Sequence, residues 1–175
     1  MSKIAMIYST TDGQTKKIVD QLTRRVDTHH SVDMAPVSHA SRLDLVSFDK
    51  VVVGASIRYG KYKPEVFEFV SGHKTLLEEK ETFFFSVNVV ARKPEKSSAA
   101  TNPYMSKFLA TTAWKPNHLE VFAGKVDYPK YGFFDRNIIR LIMHITKGPT
   151  DISQCHEFTD WRSVEKFGDL ISKTV

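Results

Sequence analysis

Ser9-Thr10-Thr11-Asp12-Gly13-Gln14-Thr15 is the stretch on which the reading of this chain turns. An apolar run, Ile4-Ala5-Met6-Ile7-Tyr8, precedes it, and Ile18, Val19, Leu22 and Val26 follow at helical spacing. That order is strand, hydroxyl-rich turn, helix. Such a turn aims backbone N–H groups and a helix start at a phosphate. Thr10, Thr11 and Thr15 add hydroxyl donors, and Gly13 permits a positive φ or a close approach. Neither GxxxxGK[ST] nor GxGxxG occurs in the turn. A monophosphate suits it better than a triphosphate that needs a lysine and a metal. An ordinary capped turn is the other reading of the same residues. Asp12 would repel an anion if it pointed inward, so its carboxylate is expected to face solvent or to accept local N–H bonds.

Working outward, strands and helices alternate. Residues 3–8 read as a buried strand, 14–28 as an amphipathic helix and 31–34 as an edge strand. A short helical turn is expected within 40–47. Lys50-Val51-Val52-Val53-Gly54-Ala55 carries β-branched residues without alternation, as in a strand covered on both faces. A helix near 63–77, a strand over 82–87, a helix over 103–112, a strand over 119–124 and a helix near 157–172 follow. Residues 92–101 are expected to form a mobile loop. This pattern predicts an α/β fold with a parallel sheet covered on both faces. Loops at the carboxyl ends of such strands share one edge, where ligands bind.

The bulk properties agree. A chain of 175 residues fits one domain, 1–175. No run of eighteen apolar residues suggests a transmembrane helix, and the N-terminus lacks the long apolar stretch of a signal peptide, so a cytoplasmic location is expected. The lone Cys155 excludes an internal disulfide framework, and no metal-ligand constellation is evident. The net charge of +5 suits an anionic partner. Nucleic acid is not expected, because no binding module or regular aromatic interleaving accompanies the basic residues.

Two further loops can complete a site. Ser56-Ile57-Arg58-Tyr59-Gly60 offers backbone polar groups, an aromatic ring and a cation. Ser86-Val87-Asn88-Val89-Val90-Ala91-Arg92 can meet the same ligand from the other side. An isoalloxazine, planar with apolar faces and a polar edge, matches that combination. Tyr59 and Asn88 are also ordinary as a surface aromatic and a turn former. Residues 125–150 interrupt the alternation. There Asp135 is expected to cap a helix that Gly148-Pro149 ends. Ile138, Leu141, Ile142 and Ile145 fall on one side of it, and Arg136, Arg140, His144 and Lys147 on another. A basic amphipathic helix of this kind lies on an anionic membrane, docks a partner, or packs on its own domain with its basic residues wet.

The turn Thr10-Thr11-Asp12-Gly13-Gln14-Thr15 is similar to the phosphate loop of flavodoxins. Gly54 to Gly60, Ser86 to Lys96, Tyr128-Pro129-Lys130-Tyr131, Phe134-Asp135-Arg136, Leu141-Ile142-Met143 and Thr159-Asp160-Trp161 resemble a narrower family. That family is the bacterial flavodoxin-like protoporphyrinogen oxidases, the quinone-dependent protoporphyrinogen IX dehydrogenases. The resemblance implies a flavodoxin-like doubly wound five-stranded parallel sheet, order 2-1-3-4-5, with 125–150 inserted after the fifth strand. It implies FMN held by Ser9, Thr10, Thr11, Gly13, Gln14 and Thr15 at the phosphate and by the 56–60 and 86–92 loops at the ring. The reaction implied is oxidation of protoporphyrinogen IX to protoporphyrin IX in haem synthesis, six electrons in three two-electron steps passed to a membrane quinone, menaquinone or ubiquinone. No side chain is assigned as acid or base. Arg58, Arg92, Lys93 and Lys96 are candidates for the substrate propionates, with Arg92 foremost. Arg136, Ile138, Arg140, Leu141, Ile142, Ile145 and Lys147 are candidates for attachment to the inner face of the cytoplasmic membrane, with pairing of two subunits as the other use of that face. A flavodoxin-like electron carrier and an FMN-dependent NAD(P)H quinone reductase are the rival functions.

Overall fold

The computed structural model describes residues 1–173. Its main sheet has five parallel strands: β1 (Lys3–Ser9), β2 (Ser31–Pro36), β3 (Lys50–Ser56), β4 (Glu81–Asn88) and β5 (His118–Ala123). They lie in the order β2-β1-β3-β4-β5. Four helices cover it, α1 (Gln14–Val26), α2 (Pro64–Glu79), α3 (Pro103–Thr112) and α5 (Trp161–Lys173), and α4 (Phe133–Ile145) stands apart in the inserted segment.

Strand alternation divides the apolar side chains between two cores. Ala5, Ile7, Val51, Val53 and Phe84 pack with Val66 and Val70 of α2 and Met105 and Phe108 of α3. Ile4, Met6, Val52, Phe83 and Phe85 pack with Ile18 and Leu22 of α1 and Val164 and Phe167 of α5. Burying each such side chain contributes roughly 1.5–3 kcal/mol, which is why helices this short hold their places. Both faces of β3 are therefore buried, as its unalternating valines require.

Gly54 shows how tight the second core is. It pairs with Phe85 across the β3–β4 ladder, and a β-carbon built on it would lie 2.2 Å from Phe85 Cζ. Gly54→Ala is expected to destabilise the fold by about 1–3 kcal/mol through overpacking. Thermal denaturation checks this, and an unchanged Tm would mean the ring moves aside freely.

Several expected boundaries shift. The first helix ends at Val26, and 3₁₀ turns at Val37–Arg42 and Leu45–Ser47 replace one turn within 40–47. The 92–101 stretch is tied down rather than open. Asn102, fully buried, donates to Lys96 O (2.9 Å) and Asn88 Oδ1 (3.1 Å) and caps α3 by accepting from Tyr104 and Met105 N–H. The inserted segment runs past 150: β6 (Lys125–Asp127) pairs antiparallel with β7 (Cys155–Glu157), and the last helix begins at Trp161 rather than 157. Asp135 does not cap α4. The cap is Gly132, and Asp135 lies in the first turn, its carboxylate turned towards the sheet edge. The helix stops at Ile145, before Gly148, whose N–H closes the end on Met143 O.

Candidate functional site

The carboxyl ends of β1, β3 and β4 open into a cleft of about 240 Å³ that runs out to solvent. Its walls are the 10–15 turn, the 56–60 loop, the 87–92 loop and the inner side of α4.

The first wall presents unmet donors and acceptors. Gly13 sits at φ 81 as the residue before α1, and its N–H donates to Thr10 Oγ1 at 3.0 Å. The first N–H groups of α1 have no carbonyl within the helix and point out of its start. Thr15 is fully buried, and its Oγ1 has no partner; Gln14 Oε1 is likewise unpartnered, while Gln14 Nε2 donates to Thr159 Oγ1 at 2.8 Å. Buried polar atoms without partners cost about 1–3 kcal/mol each. Their gathering at one helix start fits a group that supplies oxygen atoms, such as a phosphate.

The second wall is a tight turn. Arg58 N–H donates to Lys61 O (2.9 Å) and Lys61 N–H to Arg58 O (3.1 Å). Tyr59 and Gly60 between them lie at φ 50 and φ 74, the signature of a type I′ hairpin turn. Gly60 takes that conformation freely, whereas Tyr59 takes it at a cost of about 1–2 kcal/mol. The phenol of Tyr59 donates to Asp135 Oδ1 of α4, which holds the turn against the inserted segment. Ser56 Oγ lies buried without a partner at the foot of the loop.

Arg58 joins three segments. Its Nη1 is 2.8 Å from Asp12 Oδ2, its Nη2 3.6 Å from Asp135 Oδ2, and its guanidinium lies 4.6 Å from the Tyr131 ring centroid. Burial disfavours the guanidinium charge, but Asp12 and Tyr131 outweigh it and hold the pKa above the ordinary arginine value. Asp12 therefore resolves differently from either expectation. It faces neither bulk solvent nor local N–H groups, and accepts from Arg58 and from Tyr131 O–H (3.2 Å). Burial above all pushes the Tyr131 phenol up to about 12, so it stays an O–H donor across the physiological range.

The roof is α4. Ile139, Ile142 and Met143 project into the cleft. Below them Val126, Tyr128, Tyr131 and Met143 form a small core with Val89 and Phe158. The helix is strapped at both ends. Asp135 meets Arg58 and Tyr59 at its start, and at its finish Arg92 Nη2 donates to Thr146 O and Oγ1, both at 2.9 Å. Arg92 Nη1 donates to Val89 O at 3.1 Å, and burial lowers the pKa of its guanidinium.

The expected residues thus separate. Thr10, Thr11, Gln14, Thr15, Ser56, Ile57, Arg58, Tyr59, Gly60, Val87, Asn88, Val89, Val90 and Arg92 converge on the cleft. Ser9 and Ser86 stand behind its walls. Ser9 Oγ donates to Glu65 Oε1 (3.1 Å), and Ser86 Oγ accepts from Tyr62 O–H (2.7 Å) and Asn88 Nδ2 (3.0 Å). Ala91 donates its N–H to Asn88 Oδ1, fixing that loop. Lys93 and Lys96 do not line the cleft, and the guanidiniums of Arg58 and Arg92 are already committed to protein partners. The wall residues given no site role from sequence are Tyr104, Gly124, Lys125, Val126, Tyr131, Ile139, Met143 and Thr146. Only the spacing of Ile139 and Met143, one turn apart, was there to mark an inward stripe on α4.

The flavodoxin domain family matches residues 5–153. A protoporphyrinogen IX dehydrogenase [quinone] from Escherichia coli (strain K12) is 41% identical over 171 residues, covering 97% of this chain and 94% of that protein. A protoporphyrinogen IX dehydrogenase [quinone] from Leishmania major is 41% identical over 167 residues, covering 94% of this chain and 72% of that one. Among solved structures, oxidised flavodoxin 1 from Bacillus cereus superposes with a TM-score of 0.57 at 15% identity, covering 99% of each chain, which bears on the fold alone.

Proposed function

The chain belongs to the flavodoxin-domain family and, within it, to the quinone-dependent protoporphyrinogen IX dehydrogenases, and from that premise we propose how the sheet-edge cleft serves their reaction. The protein oxidises protoporphyrinogen IX with FMN and links the oxidation to quinone reduction. FMN, when bound, supplies the redox chemistry by accepting electron pairs from one partner and returning them to the other. Six electrons separate porphyrinogen from porphyrin, so three rounds complete each product.

The chain's own contribution is position and shielding. The observation that carries this reading is the set of unpartnered buried atoms at the start of α1, which fits a phosphate, beside two loops that fit a planar ring. Thr10, Thr11, Gln14, Thr15 and the left-handed Gly13 hold the phosphate. The 56–60 turn and the 87–92 loop would hold the isoalloxazine, with Asn88 braced by Ser86 and Asn102 so that its orientation is fixed. Ile139, Ile142 and Met143 keep water from one side of the cleft. Among the described residues Asp12 is the one carboxylate in the cleft wall, and Arg58 and Tyr131 occupy it. It is a strut and not a base, and the pyrrole protons leave to water.

The outer side of α4 rests on the membrane that carries the quinone. Phe134, Ile138, Leu141 and Ile145 form one stripe at spacings of four, three and four, each 47% exposed or more. Ile142, 44% exposed, also borders the cleft, so the apolar side expected from the helical wheel serves two surfaces. No helix among the described residues is long and apolar enough to cross a membrane. Attachment is thus peripheral, at the inner face of the cytoplasmic membrane.

Anaerobic mixing tests the reaction. Purified protein is expected to carry FMN, to bleach on addition of protoporphyrinogen IX, and to recover its colour on addition of quinone. Bleaching by NADPH with none by porphyrinogen would establish the reductase instead, and bleaching by neither would leave a carrier.

A further inference from the structure

Beside the cleft lies a second groove of about 210 Å³, which the reaction above does not use. It shares Ile57, Gly60 and Tyr104 with the cleft, so the two are continuous across the 56–60 turn. Its floor is aromatic. The Tyr62 ring meets Phe108 at 5.2 Å and Phe67 at 6.3 Å between centroids, both edge to face. Its rim carries two exposed lysines, Lys61 on the hairpin turn and Lys107 on α3. Among the described residues neither lysine has an ion-pair partner.

We propose that this groove receives the carboxylate-bearing edge of the tetrapyrrole, with Lys61 and Lys107 engaging its two propionates while the ring extends over Tyr104 towards the flavin. The assignment rests on the reaction proposed above and deepens it. Three observations favour this occupant. The substrate is a broad apolar ring with two anionic arms at one edge, and the groove is an apolar floor with two cations on its rim. The groove is continuous with the cleft, so a ring seated on both reaches the reacting partner. The two arginines expected to meet the propionates are elsewhere engaged, and Lys93 and Lys96 do not line the cleft. Arg58 is held by Asp12, Arg92 by Thr146 and Val89, and neither turns to a ligand without abandoning a part-buried partner. Lys61 and Lys107 carry no such debt. Exposed ion pairs are individually weak, so a two-point contact is expected to be worth about tenfold in affinity.

The test compares three FMN-loaded proteins: wild type, Lys61→Glu/Lys107→Glu, and Lys166→Glu/Lys173→Glu. The last makes the same charge change on α5, across the sheet, where it serves as a control. Binding of protoporphyrin IX, and of its dimethyl ester, is measured by quenching of flavin fluorescence, and protoporphyrinogen oxidation is followed separately. Wild type and control are expected to bind the diacid about tenfold tighter than the ester. The groove variant is expected to lose that preference, raising KM for the diacid about tenfold with kcat and FMN affinity unchanged. Three results would overturn the assignment while the reaction stands: an unaltered preference in the groove variant, an equal loss in the control, or a KM rise for quinone alone, which would make the groove a seat for an isoprenoid tail. Failure of the wild type itself to oxidise porphyrinogen strikes the underlying reaction, and the propionate assignment falls with it.

Discussion

Thr15→Val is expected to weaken FMN binding by about 10- to 150-fold and to leave the apoprotein as stable as before or more so. The two effects have one cause. Thr15 is fully buried at the start of α1 with no partner for its hydroxyl. A buried hydroxyl without a partner costs the folded protein about 1–3 kcal/mol, and valine of the same shape removes that cost. A hydroxyl donating to a charged group contributes about 1.5–3 kcal/mol, which sets the range of lost affinity. Riboflavin is the discriminating ligand. It has the isoalloxazine and no phosphate, so its affinity is expected to be the same for Thr15→Val and wild type. Titration of apoprotein with both flavins, with thermal unfolding of the apoprotein alongside, reads all three quantities. Equal FMN affinity in the two proteins would remove Thr15 from the phosphate site. Equal losses for FMN and riboflavin would show a distorted turn rather than a missing donor. Gly13 provides a second check, because a β-carbon there meets no atom within 4 Å and is opposed only by the left-handed backbone at φ 81. Gly13→Ala therefore acts through turn conformation alone.

The strand, turn and helix around Gly13 were legible because their signals are local. Strand, hydroxyl-rich turn and helix follow one another within 24 residues, and each part has a sequence signature. The sheet was legible for a similar reason, since the unalternating Val51-Val52-Val53 demands cover on both faces and dictates the layers. What escaped depends on contacts distant in sequence. Asp12 read alone is an anion beside a phosphate site. Its partners are Arg58 and Tyr131, 46 and 119 residues away, and no local rule brings them together. Arg92 read alone is the cation nearest the ring loop. Thr146, 54 residues on, turns it into a strap for α4. The β6–β7 pair, three residues to a strand, is too short to show a period. Residues 92–101 look loose because their polar side chains are surface-like, yet one buried asparagine, Asn102, gathers them. The substrate cations were sought near the flavin loops in sequence, and the structure has already spent two of those four.

Reversing Arg136 and Arg140 to glutamate is expected to lower partition onto anionic vesicles by at least about 30-fold. The helical wheel grouped the apolar residues of α4 but could not say which way they faced. The fold sends Ile139 and Met143 inward and leaves Phe134, Ile138, Leu141 and Ile145 outside, with exposures of 79%, 47%, 59% and 70%. Such a stripe is costly in water, at roughly 25 cal/mol per Å² of apolar surface. Arg140 is exposed beside it, and Arg136 is half-buried at its edge. Each basic residue near an anionic surface contributes about 1 kcal/mol, so removing two alone costs about 2 kcal/mol, and the introduced carboxylates add repulsion. Flotation with anionic vesicles measures the partition, and zwitterionic vesicles isolate the apolar part. Leu141→Glu is expected to abolish flotation on both kinds of vesicle. Its side chain is exposed and does not line the cleft, so FMN content and oxidation of porphyrinogen with a water-soluble quinone are expected to persist. Wild-type protein that stays in solution with anionic vesicles present would end the membrane assignment. If it then sediments as a dimer that Leu141→Glu dissolves, the stripe belongs to a second copy of the chain. The two straps give the membrane reading its mechanical sense. Asp135 with Arg58 and Tyr59 at one end, and Thr146 with Arg92 at the other, fix α4 to the 56–60 turn and the 87–92 loop. A helix held that way cannot sink into lipid without carrying the cleft to the surface with it, which is where a lipid-borne quinone would be met.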